Sequence, residues 1–183
     1  FAPTPNEDSL MIDKFQLAAS LGMSFEEIIS LIHYSSMYYV EISSALRTKD
    51  PEKLKAQSGK IYSIISALNK MPSSQYLNGI TKLYRGTTLP PEILANYKAL
   101  KAGDSLVEDA FVSTSYSESG AYKGNIYFLI HIKSPNALAK KIEAFSKHPE
   151  EKEVLIPPNA VFEIVDSRPV KDFLKPFATP APD

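Results

Sequence analysis

The order of its segments constrains this chain most: helix-like stretches fill the first half and strand-like stretches the second. Ser24 and Glu27 stand at capping-box spacing ahead of an apolar run. In that run Ile28, Leu31, Ile32, Ser35 and Ser36 share one helical face, which continues to Tyr39 and Ile42. Asp50 before Pro51 supplies a side-chain cap with proline at the first helical position, and Leu54, Ile61, Ile64, Ile65 and Leu68 form the expected buried stripe. Met71-Pro72-Ser73-Ser74 ends that helix, and a shorter one is expected over residues 10–21, closed by Gly22. Beyond residue 80 the pattern changes. Residues 81–87 and 111–115 read as extended, and 91–100 as a short helix. Residues 125–133 are almost continuously apolar and predict a strand buried on both faces. Two further strands, 154–156 and 160–166, flank Pro157-Pro158-Asn159. Helices first and strands afterwards predict the α+β class.

The length, 183 residues, fits one domain with a substantial core. Within it the pattern divides into a loose leader over 1–9, a helical part over 10–75, a β-rich part over 80–168 and a proline-rich, frayed tail over 176–183. A net charge of -1, with acidic and basic residues interspersed, argues against a nucleic-acid surface or an anionic membrane as the main partner. Absence of cysteine excludes disulfides, thiolate metal sites and a cysteine nucleophile. No apolar run reaches the ~20 residues of a membrane helix. His33, His131 and His148 have no metal-ligand spacing, so no metal is expected. The chain begins at Phe1, which suits the mature form of an exported protein or simple trimming.

Three segments can carry chemistry. In Leu83-Tyr84-Arg85-Gly86, strand alternation puts Leu83 and Arg85 on one face. A guanidinium fork beside a glycine suits a phosphate or pyrophosphate. In Phe111-Val112-Ser113-Thr114-Ser115, the two serines share a face and can orient a carboxylate or a ribose. In Glu150-Glu151-Lys152-Glu153, running into Val154-Leu155-Ile156, Glu151 and Glu153 are expected on one strand face, addressing one substrate. Paired carboxylates can divide the stabilisation of a cationic sugar carbon from the steering of a nucleophile. Taken singly, the first segment reads sooner as a surface arginine at a strand end and the second as a hydroxyl-rich edge strand, and the third matches a common solvated acidic loop.

In this order, the three resemble the signature of the R-S-E class of bacterial mono-ADP-ribosyltransferase toxins, the iota/cholera-like group, and in size the single-domain Vibrio-type members. The resemblance implies a two-sheet β core with an NAD cleft behind N-terminal helices, and NAD consumed as a substrate. It implies that Arg85 contacts the NAD phosphates and that Gly86 offers its backbone to the nicotinamide amide. Ser113 would hold Glu153, with Thr114 and Ser115 as supports. Glu153 would grip the nicotinamide ribose and stabilise the oxocarbenium ion, and Glu151 would position the acceptor and help remove its proton. Glutamate at 151 implies arginine as the acceptor. Phe145, eight residues before Glu153, is either an exposed aromatic for target contact or a core anchor of the loop 141–150. Phe128 either stacks on nicotinamide or, preferably, packs in the core.

The activity so implied is transfer of ADP-ribose to an arginine of a host protein, with release of nicotinamide and a side activity as NAD glycohydrolase. The protein would be secreted by a bacterium, act inside a target cell as a monomer, and use neither nucleic acid nor a membrane span. The rivals are a plain NAD glycohydrolase, a relative that modifies ubiquitin or nucleic acid, and an inactive relative kept as a binding module. The presence of Arg85, Ser113, Glu151 and Glu153 together argues against the last.

Overall fold

A computed structural model describes residues 7–133 and 138–167. The first helix, α1 (Glu7–Ser20), starts inside the stretch expected as a loose leader and closes at Gly22, whose φ of 71° is the left-handed conformation that favours glycine. The proline-rich tail lies outside the described residues. Ser24 caps α2 (Phe25–His33) reciprocally: its hydroxyl accepts from Glu27 N at 3.2 Å, and the Glu27 carboxylate accepts from Ser24 N at 2.8 Å. The helix then passes through one π turn (Tyr34–Tyr38) into α3 (Tyr39–Thr48). Asp50 Oδ1 accepts from Lys53 N at 2.9 Å and caps α4 (Pro51–Lys70). The buried Glu27 carboxylate also accepts from Ser66 Oγ at 2.5 Å and Lys70 Nζ at 2.8 Å, which ties α2 to α4. A one-turn helix, α5 (Ser73–Tyr76), follows.

The second half contains β1 (Lys82–Thr87), α6 (Pro91–Ala99), β2 (Ser105–Glu108), β3 (Val112–Ser115), β4 (Ile126–His131), β5 (Lys140–Lys141), β6 (Glu153–Ile156) and β7 (Ala160–Glu163). They form a five-stranded antiparallel sheet in the order β4-β1-β3-β6-β5 and a two-stranded sheet, β2-β7. The helices-then-sheets architecture expected from the sequence is therefore present. One detail differs: β4 is an edge strand, half-buried rather than covered on both faces. Its apolar residues meet partial cover on each side, which sequence continuity does not distinguish from full burial. β2 and β5 had no strand signal of their own. β5 is two lysines whose pairing is set by β6.

Two apolar cores flank the large sheet. One joins α2, α3 and α4 to Phe111, Ile142, Phe145 and Leu155. The other gathers Leu83, Val112, Val154 and Ile156 against Phe162 and Ala160 of β7. Helices thus cover one face and the small sheet the other. Among the described residues no helix is long and apolar enough to cross a membrane.

Candidate active site

The site forms where β1, β3 and β6 lie side by side. Ser115 is opposite Glu153 and Ser113 opposite Leu155, so both serines and Glu153 project towards the helices. Thr114 points the other way and donates to Val154 O at 2.7 Å. Ser115 Oγ donates to Glu151 O at 2.7 Å and accepts from Ser117 N at 3.0 Å. These two hydroxyls hold backbone.

Ser113 is the junction. Its carbonyl accepts from Arg85 Nη1 at 2.8 Å. Its hydroxyl lies close enough to the Tyr34 phenol and the Glu153 carboxylate to favour the ionised form of each. β1 pairs with β3 at Tyr84 and Ser115, and the Arg85 guanidinium lies over the continuation of β3. An arginine rooted on the opposite face from Glu153 thereby reaches the same edge of the sheet.

Glu153 is 3% exposed. Burial pushes its carboxyl up to about 7; Ser113 pulls the other way, Glu151 pushes further up, and Arg85 and His148 pull down. Its Oε2 is buried without a hydrogen-bond partner, which is costly unless a ligand fills the place. Glu151 is not a strand neighbour of Glu153, contrary to the alternation expected from sequence. It closes a 3-10 turn (Pro149–Glu151), and Lys152 at φ 50° swings the chain into β6. The turn still keeps the two carboxylates within electrostatic reach. Tyr122 donates its hydroxyl to Glu151 Oε1 at 2.7 Å.

Arg85 is held below the usual guanidinium range, first by burial and then by Arg47. Arg47, at the end of α3, is paired with Glu108 of β2 at 3.0 Å. Arg47, Arg85, Tyr97 and Phe128 line a cleft of about 1360 Å³ between the sheets. Neither carboxylate lines it, so the cleft by itself is no reaction centre, and Arg85 links the two regions. Phe128 sits opposite Arg85 in register and meets Tyr97 edge-on at 5.6 Å, so it packs at the cleft wall. Gly86 is explained by packing: a Cβ there would run into the Tyr122 carbonyl.

Phe145 is fully buried with Phe111, Ile142 and Leu155, so of its two readings the anchor is the one present and the exposed target contact is not. The tight turn from Ile142 to Ser146 points the ring inward. Sequence reasoning missed Tyr34, Arg47, Tyr97 and Tyr122. The π turn is what commits Tyr34 to the interior, 1% exposed and 5.2 Å from the Phe111 ring, and such turns frequently mark functional sites. Among the described residues, no group of three or more His, Asp or Glu side chains could hold a metal ion.

A five-stranded sheet with an arginine, a serine and a buried glutamate on adjacent strands, covered by N-terminal helices, defines a class. The family model for NAD:arginine ADP-ribosyltransferases matches residues 7–175, and the chain belongs to that family. It is similar to the Mycobacterium avium (strain 104) protein Mav, 29% identical over 144 residues covering 76% of this chain and 16% of Mav. It is also similar to the NAD(+)–protein-arginine ADP-ribosyltransferase Tre1 of Serratia proteamaculans (strain 568), 34% identical over 130 residues covering 70% of this chain and 26% of Tre1. The chain thus spans about a quarter or less of these two relatives. Among solved structures, the ADP-ribosyltransferase Vis in complex with agmatine superposes with a TM-score of 0.62 at 26% identity, covering 91% of this chain and 82% of Vis. Vis is a toxin of Vibrio splendidus.

Proposed function

We propose that this chain cleaves NAD at the nicotinamide glycosidic bond and transfers ADP-ribose to an arginine side chain of a protein. The observation that carries the reading is Glu153: a buried carboxyl on a central strand, beside Ser113 and with its Oε2 unpartnered. That free oxygen fits a ribose hydroxyl. Arg85 and Arg47 suit the pyrophosphate. NAD phosphates would compete with Ser113 O for Arg85 and with Glu108 for Arg47, and a phosphate offers the stronger, charge-assisted partner.

In this reading the ribose C1′–N bond breaks, its electron pair leaves with nicotinamide, and positive charge develops at C1′ and the ring oxygen. Glu153, ionised and held by its burial on β6 beside Ser113, stabilises that charge through an orientation already set before reaction. Glu151 holds the acceptor guanidinium through parallel N–H···O bonds. A nitrogen lone pair forms the new C–N bond, and the proton lost passes to the Glu151 carboxylate and on to solvent. Water in the acceptor's place gives NAD hydrolysis as the side reaction. Kinship with Vis, described as a toxin, supports a target protein in another cell.

The test is nicotinamide release and labelling of agmatine by wild type, Glu153→Ala and Glu151→Ala. Glu153→Ala is expected to lose both activities by roughly 100-fold or more, the usual scale for removing a preorganised electrostatic group. Glu151→Ala should keep nicotinamide release while losing labelling. A wild type that releases nicotinamide without labelling agmatine would sink the arginine-transfer reading and leave a glycohydrolase.

A further inference from the structure

We infer that the Tyr122 hydroxyl is the positioning group that orients Glu151 for the acceptor and so sets how this site divides ADP-ribose between arginine and water. The inference rests on the reading that Glu151 engages the acceptor. Glu151 lies on a turn rather than a strand, and its side chain is partly exposed. A lone glutamate in that setting samples several rotamers, whereas a bidentate guanidinium contact demands one plane.

The backbone on both sides of the Tyr122–Glu151 bond is fixed. Ser115 Oγ holds the Glu151 carbonyl at 2.7 Å. Gly120 packs on the same carbonyl so closely that a Cβ would stand 2.5 Å from it. The Tyr122 carbonyl lies over Gly86, and Gly124 lies against the Thr87 backbone. Asn125 and Leu89 exchange hydrogen bonds of 2.9 and 2.8 Å that clamp the far end of the same loop. With both main chains held, the 2.7 Å phenol-carboxylate bond decides where the carboxylate faces. Its bond to Glu151, then burial, pushes the Tyr122 phenol up to about 12, so it remains a neutral donor across the neutral range. A carboxylate has about four lone-pair sites; the phenol takes one on Oε1, and a site on each oxygen remains for the guanidinium fork. Tyr122 is otherwise 70% exposed, with little packing role to explain it.

The experiment compares wild type, Tyr122→Phe, Glu151→Ala and the double variant, each with saturating NAD and a range of agmatine concentrations. The readouts are labelled agmatine, total nicotinamide and melting temperature. Tyr122→Phe is expected to raise the agmatine KM and lower the ratio of transfer to hydrolysis by about tenfold, the scale of one hydrogen bond to a charged group. The double variant should match Glu151→Ala. Equal loss of transfer and hydrolysis in Tyr122→Phe, an unchanged ratio, or additive losses in the double variant would each overturn the inference while leaving the transferase reading intact. If Glu151→Ala leaves the ratio unchanged, the role of Glu151 fails first and this inference with it.

Discussion

Glu153 keeps its proton longer than an exposed glutamate because burial removes the water that would solvate the anion. The sign of the effect on stability follows. Between the ordinary value of 4.5 and about 7 the folded chain binds this proton more tightly than the unfolded chain, so stability falls as pH rises through that window. The loss is on the order of 3 kcal/mol. Glu153→Gln should therefore melt several degrees above wild type near pH ~8 and lose that advantage near pH ~4.5. Equal melting points at the higher pH would contradict the buried anion. On the proposed mechanism activity has the opposite slope, because that mechanism uses the anion. Apparent kcat/KM for NAD should climb through about pH 7, and Ser113→Ala, which removes a hydroxyl favouring the anion, should move the midpoint upwards. The residue identities at this scale were legible in the sequence: arginine, serine and paired glutamates each stand in a short motif. The buried state of Glu153 and the phenol behind Ser113 were not, since both depend on which helix covers the sheet.

Between Ser115 and Ile126 the chain makes a loop that depends on glycine to approach other backbone. Gly120 is the case that bears on Glu151, because an added Cβ would lie 2.5 Å from both the Glu151 carbonyl and Ser115 Oγ. Neither atom ends a flexible side chain free to swing away. Gly120→Ala should cost about 1–3 kcal/mol, the range for overpacking, and should depress agmatine labelling more than nicotinamide release, because the displaced turn carries Glu151. Calorimetry and the two activity readouts check this; labelling and release that fall together would place the strain elsewhere. Other elements were readable locally. Ser24 with Glu27 and Asp50 with Pro51 started helices where their side chains predict, because capping bonds span three residues and need no distant partner. The π turn gave no such signal: the periodicity running from Ile28 to Ile42 reads as one helix until packing forces an extra residue into it.

Across the whole molecule, helices and the small sheet press on opposite faces of the five-stranded sheet, and the candidate residues Arg85, Ser113 and Glu153 stand on its three central strands. The sequence by itself determined the α+β order, the caps, the candidate residues and the family, because these depend on periods and short-range bonds. Tertiary structure decided the rest. It made β4 an edge strand, since neighbours in a sheet are chosen by pairing and not by the strand's own composition. It buried Phe145 in the helix-side core, since an aromatic one turn from a charged loop goes wherever space remains. It brought Tyr122 to Glu151 and Tyr34 to Ser113 across 29 and 79 positions of chain. Contacts of that separation are specified by the closing of the fold around its two cores, and no local pattern announces them.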